Sequence, residues 1–412
     1  MAHITPFRAL RPYRQHAQAV AAPPYDVVNV EEARTLVGDN PLSFLHVEKS
    51  EIDLPGYPHV EEQTIFQTAK KNLLKLRDDQ ILFQDPAPCF YVYSQQLGGH
   101  RQYGIVTAAS VREYETGLIK KHEHTRADKE LERINHVDAV SAQTGPVFIT
   151  YRKSEIIDGI VAGIVKTPSE YAFIAADGVA HEAWVVSDTD AIEQLTAAFA
   201  KVQTMYIADG HHRAAAAASV ARLRREQDTA PSEARDYETF LAVLFPHDQL
   251  RIMDYNRVVK DLNGLELQDF LARISQCFEI TEGFADRSPK RLHDFGMYLD
   301  GKWRRLVFRK EQLAAGDPVR SLDVSILQEY LLGPLLGIAD PRTDKRIDFI
   351  GGIRGMDELE RLVDSDRFAV AFSLCPTTLP ELMDVADANL VMPPKSTWFE
   401  PKLRSGLFVH LI

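Results

Sequence analysis

The residues best placed to do chemistry stand together at Asp209-Gly210-His211-His212-Arg213. An apolar run, Met205–Ala208, precedes them and five alanines, Ala214–Ala218, follow, so the cluster falls where a strand ends and a helix begins. The first turn of a helix carries backbone N–H groups without intrahelical partners and the positive end of the dipole, and so attracts phosphate oxygens. Gly210 allows close backbone approach, His211 and His212 can donate hydrogen bonds, and Arg213 offers a planar fork suited to phosphate. Asp209 cannot be a further anion-binding group. It could cap the helix, fix a histidine tautomer, hold Mg2+ or take a proton from a hydroxyl. The simpler reading, an aspartate-capped helix with two surface histidines, accounts for less of the cluster.

A second dense cluster is Lys120-Lys121-His122-Glu123-His124-Thr125-Arg126. Lys121 and Arg126 are candidates for nucleotide phosphates and His124 for substrate. Glu123 is the candidate general base, because phosphoryl transfer to an alcohol requires a positioned carboxylate. His122 and His124 have ligand-like spacing, but no third ligand is near in sequence and the lysines repel a cation. The alternative is a solvated, charged helix start continuing to Glu132. Asp26, presented by Pro23-Pro24-Tyr25, suits contact with substrate or Mg2+, or an Asx-turn. Asn256 and Arg257 follow an expected strand from Leu250 and could reach a substrate carboxylate or phosphate, or form a surface ion pair. Lys395, Ser396 and Thr397 lie in a Pro-bounded loop that could close over the site; the glycine pattern of a P-loop is missing there.

Several elements must position these groups. Apolar spacing predicts a helix over 60–76, and β-rich runs at 90–93 and 103–107 joined through Gly98-Gly99 predict a hairpin. Strands are expected at 147–151, 171–175 and 183–186, with helices over 190–200, from the motif to about Gln227, and over 322–336. The prolines of 392–402 make that stretch a loop. The alternation predicts a mixed α/β sheet covered by helices. The polar stretch Asp228–Tyr237 marks a boundary, giving an N-terminal segment 1–85, a nucleotide-binding core 86–235 and a C-terminal α/β region 236–412 that completes the site.

Bulk properties restrict the partners. A chain of 412 residues exceeds one ordinary core. Its formal charge of −12 opposes nucleic-acid coating, although a local pocket can still be basic. The cysteines Cys89, Cys277 and Cys375 lack paired spacing. No apolar run approaches the roughly 18 residues of a membrane span, and the start lacks the apolar core of a signal peptide. The expectation is a cytoplasmic protein with no membrane partner, binding a small-molecule substrate and nucleotide, with a homodimer possible.

The segment Ile207-Ala208-Asp209-Gly210-His211-His212-Arg213-Ala214-Ala215-Ala216 resembles the nucleotide-binding motif of the ParB/sulfiredoxin-like superfamily, which includes ParB CTPases, sulfiredoxin and free L-serine kinases. Over nearly the whole chain, the ordered motifs Pro23-Pro24-Tyr25-Asp26-Val27, His122-Glu123-His124-Thr125, Asp209–Arg213, Asp254-Tyr255-Asn256-Arg257-Val258-Val259 and Met392-Pro393-Pro394-Lys395-Ser396-Thr397 resemble the family called domain of unknown function 1015. The superfamily resemblance implies a ParB/sulfiredoxin-like core with an additional α/β domain. The serine kinases share the Asp-Gly-His-His-Arg form most closely, which implies that the turn holds phosphates of ATP or ADP. Their separate catalytic glutamate has no motif that aligns here. Sulfiredoxin's cysteine is absent from the turn, which argues against sulfinic acid reduction.

Three functions follow as expectations. The first is a Mg2+-dependent kinase phosphorylating a small hydroxylated metabolite, free L-serine first, with Glu123, Asp209 and His211 catalytic. The second is a nucleotide-gated switch like the ParB CTPases. The third is a phosphatase or other hydrolase using His211 or His212 as nucleophile.

Overall fold

The computed structural model describes residues 2–230, 232, 234–309, 311, 313 and 316–412. They form two compact units. Unit 1 comprises residues 1–121, 125–250 and 401–412; unit 2 comprises 122–124 and 251–400.

Unit 1 is built on a mixed sheet of nine strands. These are β1 (Ile4–Thr5), β2 (Phe90–Leu97), β3 (His100–Ser110), β4 (Ile119–Lys120), β5 (Val147–Tyr151), β6 (Tyr171–Ile174), β7 (Ala180–Val186), β8 (Met205–Asp209) and β9 (Thr239–Pro246). The order is β4-β8-β5-β9-β3-β2-β7-β6, with β1 beside β3. β8 runs parallel to β4 and antiparallel to β5, which in turn runs parallel to β9. β2 and β3 form the hairpin expected around Gly98-Gly99. Four longer helices accompany the sheet: α1 (Glu62–Asp78), α2 (Ala127–Val140), α3 (Thr189–Phe199) and α4 (His211–Gln227).

The composition of α4 explains how closely it lies. Ala214, Ala217, Ala218 and Ala221 share one buried cluster with Val147, Ile149 and Ile207 of the sheet. Methyl side chains let the helix approach that face, so the motif at its start is fixed relative to β8 and β5. The polar stretch 228–237 lies within unit 1, because β9, which follows it, pairs between β5 and β3. Apart from residues 122–124, the chain leaves for unit 2 after Leu250 and returns at Pro401.

Unit 2 holds an antiparallel sheet of six strands: β10 (Tyr255–Val259), β11 (Phe278–Glu282), β12 (Asp294–Leu299), β13 (Lys302–Phe308), β14 (Ile347–Gly351) and β15 (Val370–Leu374), in the order β11-β13-β12-β15-β10-β14. Its helices include α5 (Leu267–Ile274), α6 (Met356–Asp364) and α7 (Leu379–Asp387). Within the stretch 392–402, expected to be loop throughout, Trp398–Glu400 pairs with Arg251–Met253. Pro393, Pro394 and Pro401 lie outside that short ladder, so no strand hydrogen bond is lost to them. Among the described residues no helix is long and apolar enough to cross a membrane.

Candidate functional site

β8 ends at Asp209 and α4 begins at His211, the junction expected from sequence. Between them Gly210 sits in the left-handed region at φ 90°, a conformation that only glycine adopts without strain. No side chain caps the helix. Asp209, one candidate for that role, instead accepts the Gly210 amide on Oδ1 at 2.8 Å, while Oδ2 accepts from the Lys402 ammonium at 3.0 Å. Desolvation favours the protonated acid, but Lys402 and Arg213 outweigh it and hold the carboxylate well below the usual range. A carboxylate stabilised in this way is a weak proton acceptor.

Arg213 does not project into solvent. Its guanidinium donates to the Pro146 carbonyl, pairs with Asp26 at 3.5 Å and folds back over Gly210, whose missing Cβ would lie 3.4 Å from the arginine Cζ and from Val147 Cα. Gly210 is therefore buried, and the amide seat expected there is covered by the side chain expected to assist it. Burial opposes the charge of Arg213, yet Asp26 and Asp209 raise its pKa beyond the ordinary value. His211 is buried and His212 half-buried. Burial lowers the His212 pKa, partly offset by Asp26 and Glu130, so this ring is neutral at pH 7.

Beneath Arg213 lies a polar layer without any signature in the sequence. Glu48, Arg133, Val137, Gln143, Thr144, Gly145 and Arg213 line a cavity of about 20 Å³, room for about one water. Glu48 accepts from Arg133 Nη1 at 3.1 Å, and the Arg133 guanidinium lies 3.8 Å from the centroid of the Tyr25 ring. Glu48 is desolvated, which favours its neutral form, but Arg133 and His136 hold it below the usual range. The Pro-Pro-Tyr-Asp turn is thus pinned by a buried aromatic, leaving Asp26 exposed above it.

The remaining candidates divide between the units. Lys121 and Arg126 are exposed members of unit 1, with Lys121 5.8 Å from the Tyr114 ring centroid and Arg126 paired to Asp128 at 2.8 Å. His122, Glu123 and His124 group with unit 2, where the His122 carbonyl accepts from Met392 at 2.8 Å and its Nε2 lies 3.4 Å from Thr397 Oγ1. Glu123 is half-buried and His124 exposed. The same 392–397 loop presents Lys395, exposed, with its ammonium 5.6 Å from the Tyr255 ring centroid. Asn256 and Arg257 lie inside β10 and are buried, so neither forms the surface ion pair considered from sequence. Asn256 donates to Asp254 and accepts from the Leu374 amide at 3.0 Å. Arg257 donates to the carbonyls of Tyr255 and Lys395, and burial pushes its pKa down to about 10. Asp26, Asp209, Gly210, His212 and Arg213 thus meet in unit 1, while in unit 2 the 392–397 loop bonds to His122 through Met392 and Thr397 and to Arg257 through Lys395. Lys402, Glu48 and Arg133 were not singled out from sequence. The order Pro401-Lys402 at the edge of a Pro-bounded loop was the available sign for the first, and nothing local distinguishes the other two.

Over residues 4–325 the chain matches the family described as Protein of unknown function (DUF1015). It belongs to that family. No curated protein sequence matches it. Among solved structures, it is similar to a free serine kinase in complex with AMP, at 13% identity over 71% of this chain and 86% of that one, with a TM-score of 0.37. It is also similar to a conserved hypothetical protein from Pyrococcus furiosus, at 12% identity over 75% and 95% of the two chains and a TM-score of 0.36. SbnI from Staphylococcus aureus, truncated at its C-terminus, aligns at 10% identity over 74% and 87% with a TM-score of 0.38.

Proposed function

We propose that the chain is a nucleotide-dependent kinase acting on a small hydroxylated metabolite, with free L-serine the first candidate and ATP or ADP the phosphate donor. The observation that carries this reading is the uncapped start of α4 with two cations, Arg213 and Lys402, gathered on Asp209 beside it. Helix amides, an arginine fork and an ammonium together form a seat for a polyphosphate. The resemblance of Asp209–Arg213 to the nucleotide-binding motif of the ParB/sulfiredoxin-like superfamily supports the same ligand. Because Gly210 is covered, the ligand meets the Arg213 and His212 side of the turn and reaches the first-turn amides only when the arginine moves aside.

In this reading Glu123 takes the proton from the substrate hydroxyl, since the depressed Asp209 is a weak base. His124 and Lys395, both exposed, are the substrate contacts available in unit 2, while Arg257 steadies the Lys395 backbone. Turnover with serine, threonine, homoserine and polyols tests the proposal. A phosphorylated product from one acceptor, abolished in Glu123→Gln with nucleotide affinity retained, is expected. Nucleotide binding without transfer to any acceptor removes the kinase reading, and phosphate release without an acceptor replaces it with hydrolysis.

A further inference from the structure

Both oxygens of the Asp209 carboxylate are engaged, Oδ1 by the Gly210 amide at 2.8 Å and Oδ2 by the Lys402 ammonium at 3.0 Å. Mg2+ demands a near-octahedral shell of oxygens at about 2.1 Å and binds through carboxylates that can turn towards it. At Asp209 an ion on Oδ2 would have to displace the Lys402 ammonium, and on either oxygen it would meet the positive charges of Lys402 and Arg213. The residues present therefore do not fit the Mg2+ expected at this aspartate.

Lys402 is not a surface lysine that happens to fall there. Its carbonyl accepts from Gln95, wholly buried in β2, at 2.8 Å, and its side chain is only 16% exposed. Three residues on, Ser405 exchanges backbone hydrogen bonds with Ala22, and between them the buried Arg404 is tied to His181 and Asp177. Ordering a long side chain on binding costs conformational entropy, and here much of that ordering precedes any ligand.

We propose that Lys402 is a built-in counter-charge: it brings to Asp209 the positive charge that a divalent ion was expected to supply, so that an anionic ligand binds the Asp209–Arg213 turn without metal and Asp209 serves as a positioning residue for the ammonium. This rests on the nucleotide reading above. The test is calorimetric titration of the full chain with ADP, once in EDTA and once in excess Mg2+, for the wild type, Lys402→Met and Asp209→Asn. The wild type binds in EDTA. Lys402→Met loses at least tenfold in affinity there and recovers part of it with Mg2+, which can enter the vacated carboxylate; Asp209→Asn weakens binding in both conditions and is not rescued.

Wild-type binding that requires Mg2+ overturns the inference while leaving the nucleotide reading intact. So does Lys402→Met that binds like wild type in EDTA. Absence of ADP binding by the wild type in either condition removes both. The wild-type comparison needs no substitution, so a variant that fails to fold does not protect the proposal.

Discussion

Arg213 in unit 1 and Arg257 in unit 2 are both withdrawn from solvent, yet their charges are handled in opposite ways. Arg213 is drawn towards carboxylates: Asp26 pairs with it, and Asp209 and Glu48 add to its field, so its charge is secured despite burial. Among the described residues no carboxylate pairs with Arg257. It has only two carbonyls and the faces of Phe349 and Tyr255, and its pKa falls to about 10. The first is an electrostatic network in which removing any member strands another; the second is a lone cation held by dipoles. A buried pair is strongly coupled, whereas an uncompensated buried charge contributes little net stability.

Substitutions can break or sharpen this contrast. The largest effect is expected at Glu48, the acid beneath the turn. Glu48→Gln leaves the buried Arg133 with only the more distant Glu132, 3.8 Å away, and should cost about 3 kcal/mol in urea unfolding. Since the folded-state pKa of Glu48 lies below the ordinary value, its contribution is fully present above the ordinary carboxylate pKa and is lost as pH falls through the depressed one. The gap between wild type and variant should therefore narrow on acidification; a gap constant down to pH 3 would show that the charge of Glu48 is irrelevant.

Gly210→Ala comes next. The added methyl finds ordinary contacts at 3.4 Å, so its cost is conformational, about 1–2 kcal/mol for an L residue held in the left-handed region. A melting temperature equal to wild type would mean that the turn relaxes freely. Arg257→Met should change stability by only about 1 kcal/mol, as relief from a buried charge offsets the lost hydrogen bonds. A loss as large as that of Glu48→Gln would erase the distinction between the two arginines. The smallest effect is at His212. Its ring is neutral at pH 7 and gains charge only below the ordinary histidine range, so on acidification ADP affinity should rise only below that range in the wild type, a rise missing in His212→Asn.

Local pattern made much of the frame legible. The short run Val147–Tyr151 is a strand with those bounds, and the alanine-rich helix runs from the motif to Gln227. The strand-to-helix junction carrying Asp209–Arg213 is legible because its residue types stand together in sequence. What remained hidden depends on pairing across long separations. Lys402 reaches Asp209 over 193 positions, and Arg133 reaches Glu48 over 85. The covering of Gly210 by Arg213 was also out of reach, because the direction taken by an arginine depends on Pro146 and Asp26, which no spacing rule connects to it. Asn256 and Arg257, expected after a strand, lie within one, since the run from Leu250 is divided at Asp254 into strands 251–253 and 255–259.

Calorimetric titration of ADP against the wild type and Arg213→Ala tests the central claim most directly, that the start of α4 is a seat for an anionic ligand. The account predicts one site per chain in the wild type and a loss of at least tenfold in affinity in the variant, with the fold retained by circular dichroism. Equal affinity in the two proteins, or no heat of binding in the wild type, would contradict it.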